Sequence, residues 1–378
     1  MSASPAKRLL IAGGGPAALE GALAVQRLAG ERVHVTLLAD RDTFAYRPLA
    51  VAEPFGLGAP QRFSLPAFAA ERGLQFERGA LRAVDAAQRR VRTGDRELEY
   101  EALLVAVGAR REEAVPGAVT FGGGPDDVAR LRAALSGLYA GEPLRVAFVA
   151  GPDTAWTLPL YELALLTARW AEQQGLAIEP WLVTHEERAL GVFGHEASGS
   201  VAELLEEAGV RLWTGAYAES VDDGRLWLSA EGGLPVDLAV AFPRFAGSAI
   251  EGLPTDAAGF VPVDSLGRVE GLEDVYAAGD MTSRPLKQGG LATQQADAAA
   301  SAIAAWAGAP VKPEPYRPVL RGMLLTGERP RYLRHAGEAS EASDDSPWWP
   351  PHKIAGRELA PYLAAHPELL VEPAEVTS

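Results

Sequence analysis

The sequence contains no cysteine. That excludes thiol–disulfide exchange, thiolate nucleophiles, persulfide intermediates and cysteine-held iron–sulfur clusters. The six histidines, at positions 34, 185, 195, 335, 352 and 366, show no metal-ligand spacing, so no metal site is expected. Lysine is scarce, with four in 378 residues. No apolar run is long enough to span a bilayer. Positive charge is in deficit: 35 basic against 50 acidic residues give −15, which argues against nucleic acid and anionic membrane surfaces as partners. Met1–Ala6 is short and polar, without the pattern of a secretory leader, so a cytoplasmic protein is expected. What is present is a globular composition, 48% hydrophobic and 22% charged, in a chain long enough for two domains.

Two glycine-bearing stretches stand out. The first, Arg8-Leu-Leu-Ile-Ala-Gly13-Gly14-Gly15-Pro16-Ala17-Ala18, reads as an apolar strand, a tight turn and a helix from Pro16 to Ala29 closed by Gly30. Gly13 lets the chain turn off the strand, and Gly15 puts no Cβ in the way of a pyrophosphate. The helix then points free N–H groups and its positive dipole end at that anion. Pro16 suits the first helical turn, where its missing N–H costs nothing. The next strand, Val33–Ala39, ends at Asp40, an acid placed to hydrogen-bond an adenosine ribose. The second stretch is Val275-Tyr-Ala-Ala-Gly279-Asp280, followed by Lys287-Gln288-Gly289-Gly290 and an Ala-rich helix to about Ala307. Together, in this order, the two stretches read as the two ends of one FAD site.

A degenerate repeat lies between them. Gly73–Gly79 is echoed by Gly209–Gly215. Each copy runs into a polar hairpin, the second turning at Asp223-Gly224, and then into an apolar strand, Ala102–Gly108 or Val236–Pro243. The expected fold is α/β: two Rossmann-like three-layer domains, each with a β-meander, plus a small C-terminal module. The expected boundaries are 1–115 with 255–310 for the FAD-binding domain, 116–254 for the second domain and 311–378 for the module. In the second copy Ala150 falls opposite Gly13 and Pro152 opposite Gly15. Pro152 offers a ring and no N–H, Asp153 adds negative charge, and His185-Glu186-Glu187 supplies no basic clamp. NAD(P)H binding there is not expected. The module reads as strands Val319–Leu325 and Arg331–Arg334, an acidic Ser-rich loop, Trp348-Trp349-Pro350-Pro351 and a helix from about Lys353 to Ala365.

On Gly13-x-Gly15-x-x-Ala18, Ala106-Val107-Gly108-Ala109, Val275–Asp280 and Lys287–Gly290 with Ala292-Thr-Gln294-Gln295, the chain resembles the two-dinucleotide-binding-domain flavoproteins over residues 7 to 335. The branch it most resembles holds sulfide:quinone oxidoreductases, flavocytochrome c sulfide dehydrogenases and type II NADH dehydrogenases. The resemblance implies that Asp280 bonds the FAD ribityl chain and that the backbone at Val84 faces the adenine. It also implies that Tyr46-Arg47-Pro48-Leu49 passes the isoalloxazine, and that the helix near Gly289 aims its positive end at the pyrimidine ring. The sulfide enzymes use cysteines near the flavin, and this chain has none.

The cofactor-binding candidates are therefore Gly13, Gly15, Pro16, Ala17, Asp40, Arg47, Val84, Ala106, Gly108, Gly279, Asp280, Lys287 and Gln288. Lys287 and Gln294 are the candidate catalytic residues, the first as a charge beside the ring; Gln294, like Gln295, is placed to hydrogen-bond a quinone-like carbonyl or the flavin edge, or to lie on the helix surface. Glu53-Pro54-Phe55 is a candidate wall, and the paired tryptophans either cover the ring or anchor the tail. The expected activity is FAD-dependent electron transfer from a donor to a quinone, a small molecule or a protein electron partner. The alternatives are an NAD(P)H dehydrogenase with an atypical loop at 150–158, and a flavin-holding sensor. The C-terminal helix, with Glu358, Pro361 and few cations, reads as a poor membrane anchor.

Overall fold

The computed structural model describes residues 5–94, 96–137, 144–230 and 232–371. Strand Lys7–Ala12 runs parallel between Val33–Ala39 and Ala102–Val105, with Gln75–Arg78 and Val275–Ala277 at the two edges. Its residues Leu9–Ala12 are buried, as a strand covered on both faces requires. On one face, helices Pro16–Ala29 and Gly289–Trp306 pack together through small side chains such as Ala22, Ala296 and Ala300. On the other lies the meander 83–99, through Val84, Val91 and Tyr100.

The second sheet repeats this order, with Leu144–Val149 between Ile178–Val183 and Leu238–Ala241, and Arg211–Trp213 and Val119–Thr120 at the edges. Helices Leu158–Gln174 and His195–Glu207 cover one face and the meander 218–235 the other. The two crossovers between the halves, Arg110–Glu112 and Arg244–Ala246, pair antiparallel and form a short ribbon at the junction.

The C-terminal module departs from expectation twice. Its sheet has three strands, Leu320–Leu324, Arg331–Ala336 and Ala339–Ser343, the last within the expected Ser-rich loop. That strand lacks an apolar signature because its anchor is polar. Ser340 Oγ donates to the Phe193 carbonyl and accepts from the Ala197 N–H. The final helix is also shorter, Leu359–Ala365, and residues 353–358 form a strap instead. The strap cannot coil because its polar groups are spoken for elsewhere. Lys353 pairs with buried Glu162, the Ile354 N–H donates to Tyr46 Oη at 2.6 Å, and the Glu358 and Leu359 N–H groups donate to Glu20 at 2.8 and 2.7 Å.

Glu20 therefore caps the last helix from within the first. Burial, then the nearby Asp297, pushes its carboxyl up to about 8, against the pull of the two N–H groups. Such a group stabilises the fold fully below its unfolded value of 4.5, and that contribution is lost as pH rises through about 8. Glu20→Gln, permanently neutral, should gain in melting temperature relative to wild type as pH rises from about 5 to about 9. A difference that stayed constant across that range would show that Glu20 does not titrate there.

Candidate functional site

The site is a groove along the carboxyl ends of the first sheet, where a doubly wound fold leaves a crevice. Its volume is about 630 Å³, and its walls include Gly13–Ala17, Asp40, Gly79–Arg82, Ala106–Arg111 and Ala278–Asp280. At one end it adjoins a chamber of about 160 Å³ that shares Arg47, Arg111, Asp280, Gly289 and Ile354 with it. The chamber is completed by the second domain, through Trp156, Leu158, Glu162 and Phe242, and by the C-terminal module, through Met323 and Lys353.

The two outer glycines of the turn do different work. Gly13 has φ +142°, and a Cβ there would lie 2.2 Å from the Ala106 carbonyl oxygen, so it lets two strand ends approach. The Ala106 N–H in turn donates to the Ala12 carbonyl at 2.7 Å. At Gly15 a Cβ would meet no protein atom within 4 Å and would stand in the groove. Gly15 gives helix Pro16–Ala29 no side-chain cap, which leaves first-turn N–H groups for an anion. The Cβ-free approach at Gly15, an uncapped helix start and the Asp280 carboxyl in the wall fit the pyrophosphate and polyol of FAD.

Charge gathers where groove meets chamber. Burial raises Asp280, while Lys287 and Arg111 pull it back. Loss of hydration brings Arg111 down to about 10, with Arg47 adding repulsion, although the Arg111 side chain still reaches solvent. Burial likewise lowers Lys287 to about 8, against Asp280. Lys287 lines the chamber, but its ammonium is committed: it donates to the Thr282 carbonyl at 2.5 Å and lies 3.7 Å from the centre of the Phe260 ring.

Most of the candidates come together here. Gly13, Gly15, Pro16, Ala17, Asp40, Arg47, Ala106, Gly108, Gly279 and Asp280 line the groove. Lys287 and Gln288 line the chamber, with Gln288 capping helix Gly289–Trp306 by accepting from the Leu291 N–H. Three expectations are corrected. Val84 does not reach the groove: its N–H donates to the Glu251 carbonyl, its side chain is in the core, and Leu81 and Arg82 hold the wall instead. Gln294 points to the rear of its helix, where its amide bonds both the N–H and the carbonyl of Val319. Glu53 lines neither space, and its carbonyl accepts from Arg132. The paired tryptophans also lie outside: Trp348 packs edge-on against Tyr332 at 5.3 Å and Trp349 is 88% exposed.

Arg111, Glu162, Lys353 and Trp156 escaped the sequence reading. Glu162 did leave a trace, as a lone acid inside the apolar run Leu158-Pro-Leu-Tyr-Glu-Leu-Ala-Leu-Leu. So did Lys353, one of the four lysines.

The second sheet carries a cleft of about 590 Å³ at the equivalent end, lined by Thr154–Thr157, His185–Arg188 and Leu286. Three residues, 13–15, separate strand from helix in the first unit, whereas eight, 150–157, do so in the second. Loop length, more than the Pro152 ring alone, removes the glycine turn. Trp156 packs against Phe193 at 5.9 Å and lines both this cleft and the chamber. Glu186 accepts hydrogen bonds from Tyr161 and Thr184, each at 2.9 Å.

Two Rossmann-like units, one with a working glycine turn and a Gly-Asp end, define a flavoprotein of the two-dinucleotide-domain class. The profile of the pyridine nucleotide-disulphide oxidoreductases matches residues 7–302, and the chain belongs to that family as an FAD-dependent oxidoreductase. The fold is shared with the sulfide:quinone oxidoreductase of Aquifex aeolicus, at TM-score 0.80 and 17% identity over 98% of this chain and 93% of that one. It is also similar to NDH2 of Plasmodium falciparum, at TM-score 0.68 and 14% identity over 97% and 95% of the two chains. The ferredoxin reductase of the CYP199A2 system of Rhodopseudomonas palustris follows at TM-score 0.66 and 21% identity over 88% and 82%. No curated protein matches the chain. No helix among the described residues is long and apolar enough to cross a membrane.

The glycine geometry makes a paired prediction. Gly13→Ala should destabilise the protein by about 3 kcal/mol or more, because backbone must move to admit the methyl group. Gly15→Ala should melt normally yet lose FAD on dialysis that wild type survives. Equal flavin retention by Gly15→Ala and wild type would remove the pyrophosphate from that position.

Proposed function

We propose that the protein passes electrons from a donor other than NAD(P)H to a quinone-type carbonyl acceptor bound in the chamber, with Glu162 and Lys353 managing a proton. Bound FAD supplies the electron pair in either direction. Gly15 and the start of helix Pro16–Ala29 hold its pyrophosphate, Asp280 its polyol and Asp40 its ribose. Arg47 and Arg111 set the charge at the junction with the chamber. Sulfide chemistry through thiols has no residue to carry it.

The observation that carries this reading is the pair itself. Glu162 and Lys353 are both buried, bonded to each other, and part of the chamber wall. Glu162 Oε1 also accepts from the Leu325 N–H, while its Oε2 is buried without a partner. Burial raises Glu162 and lowers Lys353, so the two proton affinities converge. A proton held between them is at hand for an acceptor oxygen that gains electrons, and Oε2 is an acceptor that a hydroxyl would satisfy. Reduction of a quinone takes two electrons and two protons; this pair would deliver one proton, and the other would come with the electron pair that reduced FAD supplies. The apolar walls, Trp156, Leu158, Phe242 and Ile354, suit a flat ring.

The test separates the two half-reactions. Enzyme reduced anaerobically with dithionite should be reoxidised by a soluble short-chain benzoquinone in stopped flow. Glu162→Gln should slow that step about 100-fold while leaving the flavin spectrum unchanged. Lys353→Met alone leaves a buried carboxylate unpaired and costs about 3–5 kcal/mol, so Glu162→Gln/Lys353→Met serves as the folded control, equally slow. Reoxidation of Glu162→Gln at the wild-type rate defeats the proton role. NADH and NADPH should each fail to bleach the flavin, and rapid bleaching by either would make the second-domain cleft a working nucleotide site.

A further inference from the structure

A cavity of about 710 Å³ lies behind the groove, between helix Gly289–Trp306, the segment 311–321 and the strap. It shares no lining residue with groove, chamber or second-domain cleft, so electron transfer leaves it unexplained. Its volume falls in the range of small-molecule pockets.

Its wall is cationic in a chain of net charge −15. Lys312, Arg317, Arg321 and Arg357 line it, and none of them forms an ion pair among the described residues. A phosphate can satisfy several such groups with paired, charge-assisted hydrogen bonds. At the rim, Trp349 is 88% exposed, an aromatic face that a second ring would cover. At the floor, Asp297 Oδ1 is buried with no hydrogen-bond partner. That oxygen is an acceptor for an amine or a hydroxyl; burial raises the carboxyl to about 6, while Arg357, Arg27 and a side-chain hydrogen bond with Glu20 pull it back against Glu358.

From the cationic wall, the aromatic rim and the unmet acceptor together, we infer that this cavity is a second ligand site for a nucleoside phosphate, separate from the FAD groove. The phosphates lie on Arg317, Arg321, Lys312 and Arg357, the base stacks on Trp349, and Asp297 accepts from an exocyclic amine or a ribose hydroxyl. The inference is independent of the proposed donor and acceptor.

The experiment uses the full chain loaded with FAD, so that the groove is filled. ADP is titrated by calorimetry and by tryptophan fluorescence, with adenosine and inorganic pyrophosphate as the ring-only and anion-only probes. Expected is one saturable ADP site per flavin, weakened by salt, with both partial probes binding more weakly. Arg317→Ala/Arg321→Ala should weaken ADP about tenfold or more, and Trp349→Ala should weaken ADP and adenosine but leave pyrophosphate unchanged. His185→Ala, in the second-domain cleft, should change nothing. The inference is overturned by absence of saturable ADP binding, by release of flavin as ADP binds, by wild-type affinity in the double arginine variant, or by loss of binding in His185→Ala.

Discussion

The buried ion pair between Glu162 and Lys353 is the contact on which the shape of the site depends. It joins a helix of the second unit to a strap of the C-terminal module, across the end of a groove that belongs to the first unit. Two charges removed from water gain little net stability from each other, yet either left alone would cost several kcal/mol. The pair therefore acts as a constraint: the strap must come back to Glu162, and Ile354 is then set beside Gly289 at the wall of the groove. Tyr46 and Glu20, both from the first unit, fix the strap on either side of that point. Three parts of the chain are held in register by polar contacts that the strap itself supplies.

The same constraint explains how the second unit differs from the first. Its sheet keeps the strand order of the first, and its helix still follows the first strand, but eight residues replace the three-residue glycine turn. The extra chain brings Trp156 against Phe193 and into the chamber wall. The helix that follows contributes Leu158 and Glu162 to a neighbouring space. The unit shares that pocket with the first, and Glu186 bonds Tyr161 and Thr184 within its own domain.

Much of this was legible from local signals. The glycine turn, the helix behind it and the Gly279-Asp280 end are set by residues adjacent in sequence, and the structure brings them to one groove. The repeat was legible because β-strand burial and hairpin turns leave a pattern in apolar spacing. Val84 and Gln294 were misplaced for one reason: each backbone or amide is spent on a partner far along the chain, Glu251 or Val319, which no local pattern encodes. The strap reads as helix in the sequence because Lys353-Ile-Ala-Gly-Arg-Glu has no strong breaker before Gly356. Only its distant partners, Glu162, Tyr46 and Glu20, hold it extended. Strand Ala339–Ser343 was hidden by its composition, since Ser340 fixes it by hydrogen bonds and apolar burial contributes little.

Without cysteine, this family member has no covalent relay beside the flavin, so control of the chemistry falls to charge and access. Asp280, Lys287 and Arg111 surround the junction of groove and chamber with one negative and two positive groups, each shifted by loss of water. Of these, Lys287 is pinned by Thr282 and Phe260, which keeps its charge in place while withholding its protons. A fixed positive charge favours added electron density in its vicinity whether or not it donates a proton. In the proposed mechanism, proton delivery falls to a different pair, Glu162 and Lys353, in the more deeply buried setting. Separating the charge that favours electrons from the groups that move protons lets each be tuned by its own burial.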